Sequence, residues 1–295
     1  MKRERRKLHR NFHCILRSRQ AARHLFLLPS FAGVVLFVLV PFADVGRRSF
    51  TTAVTGVFCG LDNYRSVFTN EAFLLAVKNT LCFTCVGVPL LLAVSLLLSL
   101  AIYELPGVQG LKSAYLFPMA IPTATVVLVW KMLFHRQGIF NAWLTAAGRN
   151  PIDWLGSDAS FWVLVLSYLW KNLGYTVVLW LAGLHHVPEE LKEAARVDGA
   201  TQAKCFWYVV FPGLKPMLYT VTILSFLNSF KVFREAYLAA GAYPQERMYL
   251  LQHLFNNWFT NLDVDKMAAA AVCITVVFTL FELLLQRAWE GQEEE

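Results

Sequence analysis

The chain has 295 residues, of which 57% are hydrophobic and 16% are charged, and its formal net charge is +7. Soluble domains contain about 25% charged residues. The composition therefore excludes an ordinary soluble protein and predicts a multispanning membrane protein whose single membrane domain accounts for the length.

Basic residues are concentrated at the N-terminus, where residues 1–23 contain nine Lys or Arg and a single acid, Glu4. Because this run abuts an apolar stretch, the positive-inside rule favours a cytoplasmic N-terminus over nucleic-acid binding. The apolar stretch at 25–43 is too long for a typical signal-peptide core, and no small-x-small cleavage site follows it. We interpret 1–24 as a basic cytoplasmic tail and 25–43 as a retained first span.

Six stretches have about the 20 apolar residues that a bilayer-spanning helix needs. They predict an all-α, polytopic membrane protein with six transmembrane helices and both termini in the cytoplasm. We expect one membrane domain at 25–286 and an acidic cytoplasmic tail at 287–295. The six stretches are 25–43, 78–103, 113–134, 161–184, 206–228 and 267–286.

The loops then alternate between the two sides of the membrane. Loops 44–77, 135–160 and 229–266 face outward, whereas 104–112 and 185–205 face the cytoplasm. This orientation rests mainly on the N-terminal basic cluster. The long loop at 229–266 is expected to contain a short helix packed on the outer face.

One ionisable residue stands out, because Lys171 lies in the middle of the fourth span, between Trp170 and Asn172. A charge at the membrane centre costs about 2.5–3.5 kcal/mol on insertion scales, so this lysine is expected to face a polar cavity or a partner. Lys171, Asn172 and Tyr175 fall within one turn on one helix face. Asn228 adds an amide at the outer end of the fifth span.

Other polar and sulfur positions have more ordinary interpretations. Lys131 and Lys231 lie near the outer ends of spans, where their ammonium groups can snorkel to the interface. Cys82 and Cys85 have a redox or metal spacing, but they lie in an apolar run with no second pair, which favours two small residues in a helix.

The loop at 185–205 contains a segment with strong helix-start and helix-stop signals. It opens with Pro188, continues with acids in the first turn, and ends at Gly199, the residue type that best adopts the left-handed C-cap. Its middle holds Ala194 and Ala195, which allow a partner's backbone to come close. We therefore predict a short helix that another protein contacts.

The same segment carries a family resemblance. Glu193-Ala194-Ala195, three residues, Gly199, nine residues, then Val209-x-Phe211-Pro212 resembles the EAA signature of ABC importer permeases, with Val and Phe in place of Ile and Leu. Further segments resemble the carbohydrate-type permeases of this family: Gly60-Leu61-Asp62-Asn63-Tyr64, Asn79-Thr80-Leu81, Val88-Pro89-Leu90, Asp153-Trp154-Leu155-Gly156, Ala182-Gly183-Leu184 and Phe230-Lys231-Val232-Phe233.

The resemblance implies the type I ABC importer permease fold and its partners. Two permease subunits form the pore, two ABC ATPase subunits bind on the inside, and an extracytoplasmic solute-binding protein delivers the solute. The ATPases bind ATP and Mg, so this chain is expected to hold no cofactor, no metal and no catalytic residue, and not to be an enzyme. The implied ATPase-coupling residues are Glu193, Ala194, Ala195, Asp198 and Gly199.

We therefore predict a permease subunit for a carbohydrate or a related polyol in a bacterial or archaeal cytoplasmic membrane, in contact with lipid and not with nucleic acid. The predicted substrate path is Trp170, Lys171, Asn172, Tyr175 and Asn228, which offer aromatic stacking and amide hydrogen bonds.

Three alternatives stay open at this point. The first is the same machinery with a peptide, phosphate or amino acid as its solute. The second is an ion-coupled secondary transporter, which needs no ATPase. The third is an intramembrane metalloenzyme that uses His185, His186 and Glu189, although adjacent histidines on a helix point in different directions and zinc motifs space them at i, i+4.

Overall fold

The computed structural model describes residues 27–104 and 112–290, and for 112–115 and 288–290 it describes the backbone alone. The predicted N-terminal tail at 1–24 and residues 291–295 of the predicted C-terminal tail lie outside the described residues. The described part is α-helical, with one isolated β-bridge between Thr51 and Phe58, which confirms the all-α prediction.

Twelve helices are named here in chain order within the described ranges, and a short 3₁₀ turn at Glu246–Met248 precedes α11. They are α1 Leu27–Arg48, α2 Asp62–Phe68, α3 Glu71–Glu104, α4 Lys112–Ala120, α5 Thr123–Leu133, α6 Ile139–Ala146, α7 Ser160–His186, α8 Glu189–Val197, α9 (Gln202–Cys205, a π-helical turn at Phe206–Val210, then Phe211–Lys231), α10 Phe233–Ala240, α11 Leu251–Thr260 and α12 Val264–Glu290.

Five of the described helices are long and apolar enough to cross a membrane: α1, α3, α7, the continuous α9–α10 segment Gln202–Ala240, and Val264–Arg287 of α12. They correspond to five of the six predicted spans. The fifth predicted span is longer than expected, because the helix continues past residue 228 to Ala240. The loop predicted at 229–266 therefore begins as helix and contains α11 beyond it.

The third predicted span, 113–134, is not one continuous helix. It is divided into α4 and α5 by a break at Ile121-Pro122, where Pro122 has an extended ψ of 134°. Proline lacks the N–H that the helix ladder needs and disfavours α geometry in the residue before it, so the chain leaves the helix here. Because α5 has only 11 residues, the six-span count stays a prediction.

The described chain divides into two compact units. The first contains α1, α2, the loop between them and most of α12. In its loop, the side-chain amide of Asn63 donates to the backbone carbonyls of Ser49 (3.1 Å) and Thr51 (3.0 Å). The Ser49 hydroxyl lies 2.8 Å from the Tyr64 hydroxyl. These hydrogen bonds provide partners for the polar groups of the loop, and they hold the loop against α2.

The second unit, which begins at Phe68 and runs to Asn261, holds the candidate site. Its centre is the packing of α7 against α3, α4 and α9. Gly183 of α7 lies where a Cβ would come within 2.9 Å of Met217 on α9, so only glycine allows this approach of the two helices. Two buried clusters fill the unit; their largest members are Phe83, Leu91, Leu164, Tyr168 and Met248 in one, and Trp180, Leu181, Leu184 and Leu214 in the other.

Two buried side chains of α7 form hydrogen bonds to neighbouring helices. The Trp180 indole N–H donates to the Ser95 hydroxyl of α3 at 3.0 Å, and the Tyr168 hydroxyl donates to the backbone carbonyl of Ser225 on α9 at 2.8 Å. A buried polar group without such a partner costs free energy. These pairs therefore define how α7 is rotated between α3 and α9, and so which α7 residues face the cavity described below.

Candidate functional site

The first part of the candidate site is α8, the short helix that contains the Glu-Ala-Ala segment. It begins after Pro188 and ends in a left-handed glycine, since Gly199 has φ +78°. The Gly199 N–H donates to the Arg196 carbonyl at 3.0 Å and the Ala200 N–H donates to the Ala195 carbonyl at 2.9 Å. This pair of bonds is the Schellman motif, which satisfies the last carbonyls of the helix.

The exposed surface of α8 combines small, apolar and acidic residues where a partner could approach. Glu193, Ala194, Asp198 and Gly199 are exposed, and Ala195 is half-buried against the core cluster around Trp180. Two large apolar side chains are also exposed: Leu191 (55%) and Val197 (87%). A short helix that exposes alanine, leucine and valine together presents a surface suited to contact with another protein.

The opposite side of α8 is held by Lys192, a residue that the sequence analysis did not single out. Lys192 is buried, and its ammonium donates to the Tyr103 hydroxyl at the end of α3 and to the Glu189 carboxylate, each at 2.8 Å. The ammonium also lies 4.6 Å from the centre of the Tyr103 ring, within cation–π range. The aromatic ring of Tyr103 in turn packs on His185.

The charges of this pair stabilise each other. Burial opposes the charged form of Lys192, but the hydrogen bonds from its ammonium to Glu189 and Tyr103 outweigh burial and raise its pKa. The hydrogen bond from Lys192 lowers the pKa of the Glu189 carboxyl. Both groups are therefore charged at neutral pH, and the hydrogen bond from the Lys192 ammonium to Tyr103 anchors α8 to α3.

The second part of the candidate site is a cavity of about 360 Å³ in the same unit. It is bounded by the α4–α5 break, the middle of α7, the end of α9 and the start of α10. Its lining is strongly polar for a membrane protein, and three of the five predicted path residues belong to it: Lys171, Asn172 and Asn228.

The other two predicted path residues do not line this cavity. Trp170 packs edge-on against Trp130 of α5, with ring centres 5.8 Å apart. Tyr175 is half-buried further along α7. The prediction placed all five on one path because of their spacing along the sequence, whereas the rotation of α7 brings only positions 168, 171 and 172 to the cavity.

Lys171 has a partner that the sequence analysis missed. Its ammonium forms an ion pair with the Glu235 carboxylate of α10 and donates to the Thr123 hydroxyl at the start of α5 at 2.9 Å. The Glu235 side chain is 5% exposed and that of Lys171 is 18% exposed. This network ties α5, α7 and α10 together at the cavity wall. The sequence does contain this acid, Glu235, four residues after Lys231. The prediction placed it in the outward loop at 229–266 and therefore not beside Lys171.

Two further cations line the cavity. Lys231, at the end of α9, donates to the Asn228 side-chain oxygen at 2.9 Å. Arg234, in the first turn of α10, is exposed to the cavity. Among the residues that the structure describes, neither has a carboxylate within ion-pair distance. Three cations and one carboxylate therefore line this space, and two positive charges are in excess.

The residues proposed for a metalloenzyme are not brought together. The His186 ring lies 2.7 Å from the Ala182 carbonyl, whereas His185 packs on Tyr103 and Glu189 binds Lys192. Within the described ranges, no group of three His, Cys, Asp or Glu side chains is placed to hold a metal.

Comparison with known proteins places the chain among transport proteins. A family model described as a binding-protein-dependent transport system inner membrane component matches residues 108–290. The chain is 31% identical to a trehalose/maltose transport system permease protein of Thermococcus litoralis, covering 87% of this chain and 89% of that protein. It is 32% identical to an arabinooligosaccharides transport system permease protein of Bacillus subtilis, covering 93% and 91%.

The fold has a counterpart among solved structures. A chain from a bacterial ABC transporter that imports the acidic polysaccharide alginate superposes with a TM-score of 0.79, at 20% sequence identity, covering 93% of this chain and 96% of that one. At this identity the likeness shows the fold alone, and it is the fold that the EAA resemblance predicts.

Proposed function

The chain belongs to the family of binding-protein-dependent transport system inner membrane components, and from this premise we propose that it forms half of the pore of an ABC importer for a carbohydrate-class solute. It is a multi-pass membrane protein with several long apolar helices. The observation that carries the proposal is α8, a capped helix that is exposed on one side and anchored through Lys192 on the other.

In this proposal α8 is the coupling helix, and Glu193, Ala194, Ala195, Asp198 and Gly199 form the dock for an ABC ATPase. The ATPases bind ATP and Mg, and the permease itself catalyses no reaction. A sister permease completes the pore and an extracytoplasmic solute-binding protein delivers the solute. The cytoplasmic membrane of a bacterium or archaeon is the proposed location, with the domain at 25–286 in the bilayer and the tails at 1–24 and 287–295 in the cytoplasm.

The cavity is the proposed solute path. Lys171, Asn172 and Asn228 contribute ionic and amide groups, which suit a solute rich in hydroxyls. The carbohydrate class is supported by the names of the two relatives, which transport trehalose or maltose and arabinooligosaccharides. Trp170 and Tyr175 remain candidates for a part of the path that the sister permease completes.

The test is capture of the ATPase from the chain's own host. Ala194 is exposed, so Ala194→Arg leaves the fold of α8 intact but places a long side chain in the proposed dock. Ala146→Arg, at an exposed alanine of α6, is the matched control. We expect the tagged wild type and the control to retain an ABC ATPase in mild detergent, and Ala194→Arg to retain roughly tenfold less.

The two possible failures have different meanings. If the wild type retains no ATPase under conditions that hold a known importer together, an ion-coupled secondary transporter becomes the better proposal. If Ala194→Arg retains as much ATPase as the wild type while remaining inserted, then the importer stands but α8 is not its dock.

A further inference from the structure

The cavity has more positive charge than the binding of a neutral sugar requires. Lys171, Lys231 and Arg234 line it together with a single acid, Glu235. Glu235 is already paired with Lys171, so its charge is compensated inside the wall. Lys231 and Arg234 therefore remain as cations whose charge no described carboxylate neutralises.

A purely structural role does not account for both cations. α9 and α10 form one continuous helical segment, so neither Lys231 nor Arg234 lies at a free helix end whose dipole would account for its charge. Lys231 donates to the Asn228 side chain, and Arg234 has no hydrogen-bond or ion-pair partner in the described chain. A concave wall with excess charge of one sign concentrates ligands of the opposite sign.

The chemistry of these groups selects the ligand. The planar guanidinium of Arg234 offers a fork of donors that matches a carboxylate or a phosphate. The Asn228 amide nitrogen and the ammonium of Lys231 lie on the same wall, where they can donate to hydroxyl oxygens or to the same anion. The wall thus combines an anion site with hydrogen-bonding groups for a polyhydroxylated body.

We infer that the solute carried past this cavity is an anionic carbohydrate, whose carboxylate or phosphate group contacts Arg234 and Lys231. The inference rests on the proposed function, because it names the class of solute within the same path. It distinguishes this importer from one that carries uncharged sugars.

The test is a binding measurement on the purified complex of this chain with its sister permease and ATPases in lipid nanodiscs. The probes are uronate trisaccharides of several linkages, each paired with its uncharged methyl ester, together with a glycosyl phosphate and the neutral trisaccharide maltotriose. We expect at least one acid to bind roughly tenfold more tightly than its methyl ester, and this preference to weaken as salt is raised. The uronate and phosphate probes separate the two possible sources of the negative charge.

Variants of Arg234 test whether the preference for the acid over its methyl ester depends on the cavity. Arg234→Gln is expected to remove most of the tenfold preference for the acid, whereas Arg234→Lys, which keeps the charge, retains part of it. Arg149→Gln, at an exposed arginine outside the cavity, is the matched control and should leave the preference unchanged. Retention of the sister permease and ATPases by each variant shows that it is folded.

Two results would overturn the inference. Equal binding of each acid and its methyl ester, or tighter binding of maltotriose than of every anionic probe, would mean that the cations serve another purpose, such as contact with lipid phosphates or with the sister permease. In that case ATPase capture would still hold and the proposed importer would stand. Loss of ATPase capture by the wild type would instead remove both proposals.

Discussion

At the scale of single residues, the buried charged groups carry most of the functional information. Lys171 and Glu235 form an ion pair across two helices, and Thr123 adds a third element to it. Removing one partner of a buried pair leaves an uncompensated charge that costs about 3–5 kcal/mol. The pair therefore holds the wall of the cavity in one arrangement, and the charge of Glu235 is balanced by Lys171 and not by the nearby Lys231 or Arg234.

His253 of α11 is another buried ionisable residue. It is fully buried among the rings of Phe233, Tyr237 and Tyr249, and its Nδ1 accepts the Leu250 backbone N–H at 3.1 Å. Burial lowers the pKa of this imidazole from 6.5 to about 4. The unfolded chain therefore takes up a proton near pH 6.5, whereas the folded chain does so only near pH 4.

This difference predicts acid sensitivity. Above pH 6.5 His253 is neutral in both states and makes no pH-dependent contribution. Between pH 6.5 and 4 the unfolded state binds more protons, so the free energy of unfolding falls by up to about 1.4 kcal/mol per pH unit. In His253→Gln, whose amide oxygen can still accept the Leu250 N–H, the loss of thermal stability between pH 7 and 5 should be smaller than in wild type. Thermal unfolding of the detergent-solubilised complex measures this, and equal acid sensitivity of both proteins would contradict it.

At the scale of elements, α8 combines an exposed face with a rigid attachment. Its Schellman motif fixes its end, and Lys192 connects it to Tyr103 of α3. A movement of α8 is therefore passed on to a long helix of the second unit. The attachment explains how so short a helix, of nine residues, keeps one orientation, since isolated helices of this length are marginal in water.

We predict that Lys192→Met weakens this attachment without removing the proposed ATPase dock. The variant loses the hydrogen bond to Tyr103, worth about 1.5–3 kcal/mol, and the i,i+3 pair with the half-exposed Glu189, worth about 0.2–1 kcal/mol because solvent screens it, but it loses none of the exposed residues of α8. ATPase capture should persist, while solute uptake per ATP hydrolysed in proteoliposomes falls several-fold. Tyr103→Phe, which removes one of the two bonds, should lie between this variant and wild type.

The control for this experiment is Lys204→Met, because Lys204 is exposed at the start of α9. It should behave as wild type. If Lys192→Met keeps wild-type uptake per ATP, or if it loses the ATPase altogether, then Lys192 does not transmit movement in the way described.

At the scale of the whole molecule, the α4–α5 segment determines how often the chain crosses the membrane. Five described helices are long enough to span it, and the third predicted span, 113–134, is broken at Pro122 into α4 and α5. If the α4–α5 segment crosses, then the loop before α3 and the α8 segment lie on opposite sides. If it does not cross, they lie on the same side.

Single cysteines in a cysteine-free background distinguish these cases. We expect Val54→Cys and Arg149→Cys to react with a membrane-impermeant maleimide in intact cells, and Val197→Cys to react only after permeabilisation. Val54 and Val197 are 96% and 87% exposed, so poor access would reflect the membrane rather than burial. Reaction of Val54→Cys and Val197→Cys from the same side would contradict six spans.

The features that could be predicted from the sequence are those that depend on local composition and spacing. Long apolar runs need no partner to be identified as helices, and α8 is specified by its own residues from Pro188 to Gly199. The break at Ile121-Pro122 also depends on local sequence, because proline disrupts a helix. The prediction of one continuous span there followed the apolar composition around the proline instead.

Which polar groups meet depends on how the helices pack. Lys171 and Glu235 are 64 residues apart, and Lys192 and Tyr103 are 89 residues apart. Their pairing depends on how α3, α7, α9 and α10 are rotated against one another, which is set by close packing at Gly183 and by bonds such as Tyr168 to Ser225. Because helix rotation is a property of the packed unit, the partner of a buried charge and the lining of the cavity followed from the fold and not from the spacing of residues along the chain.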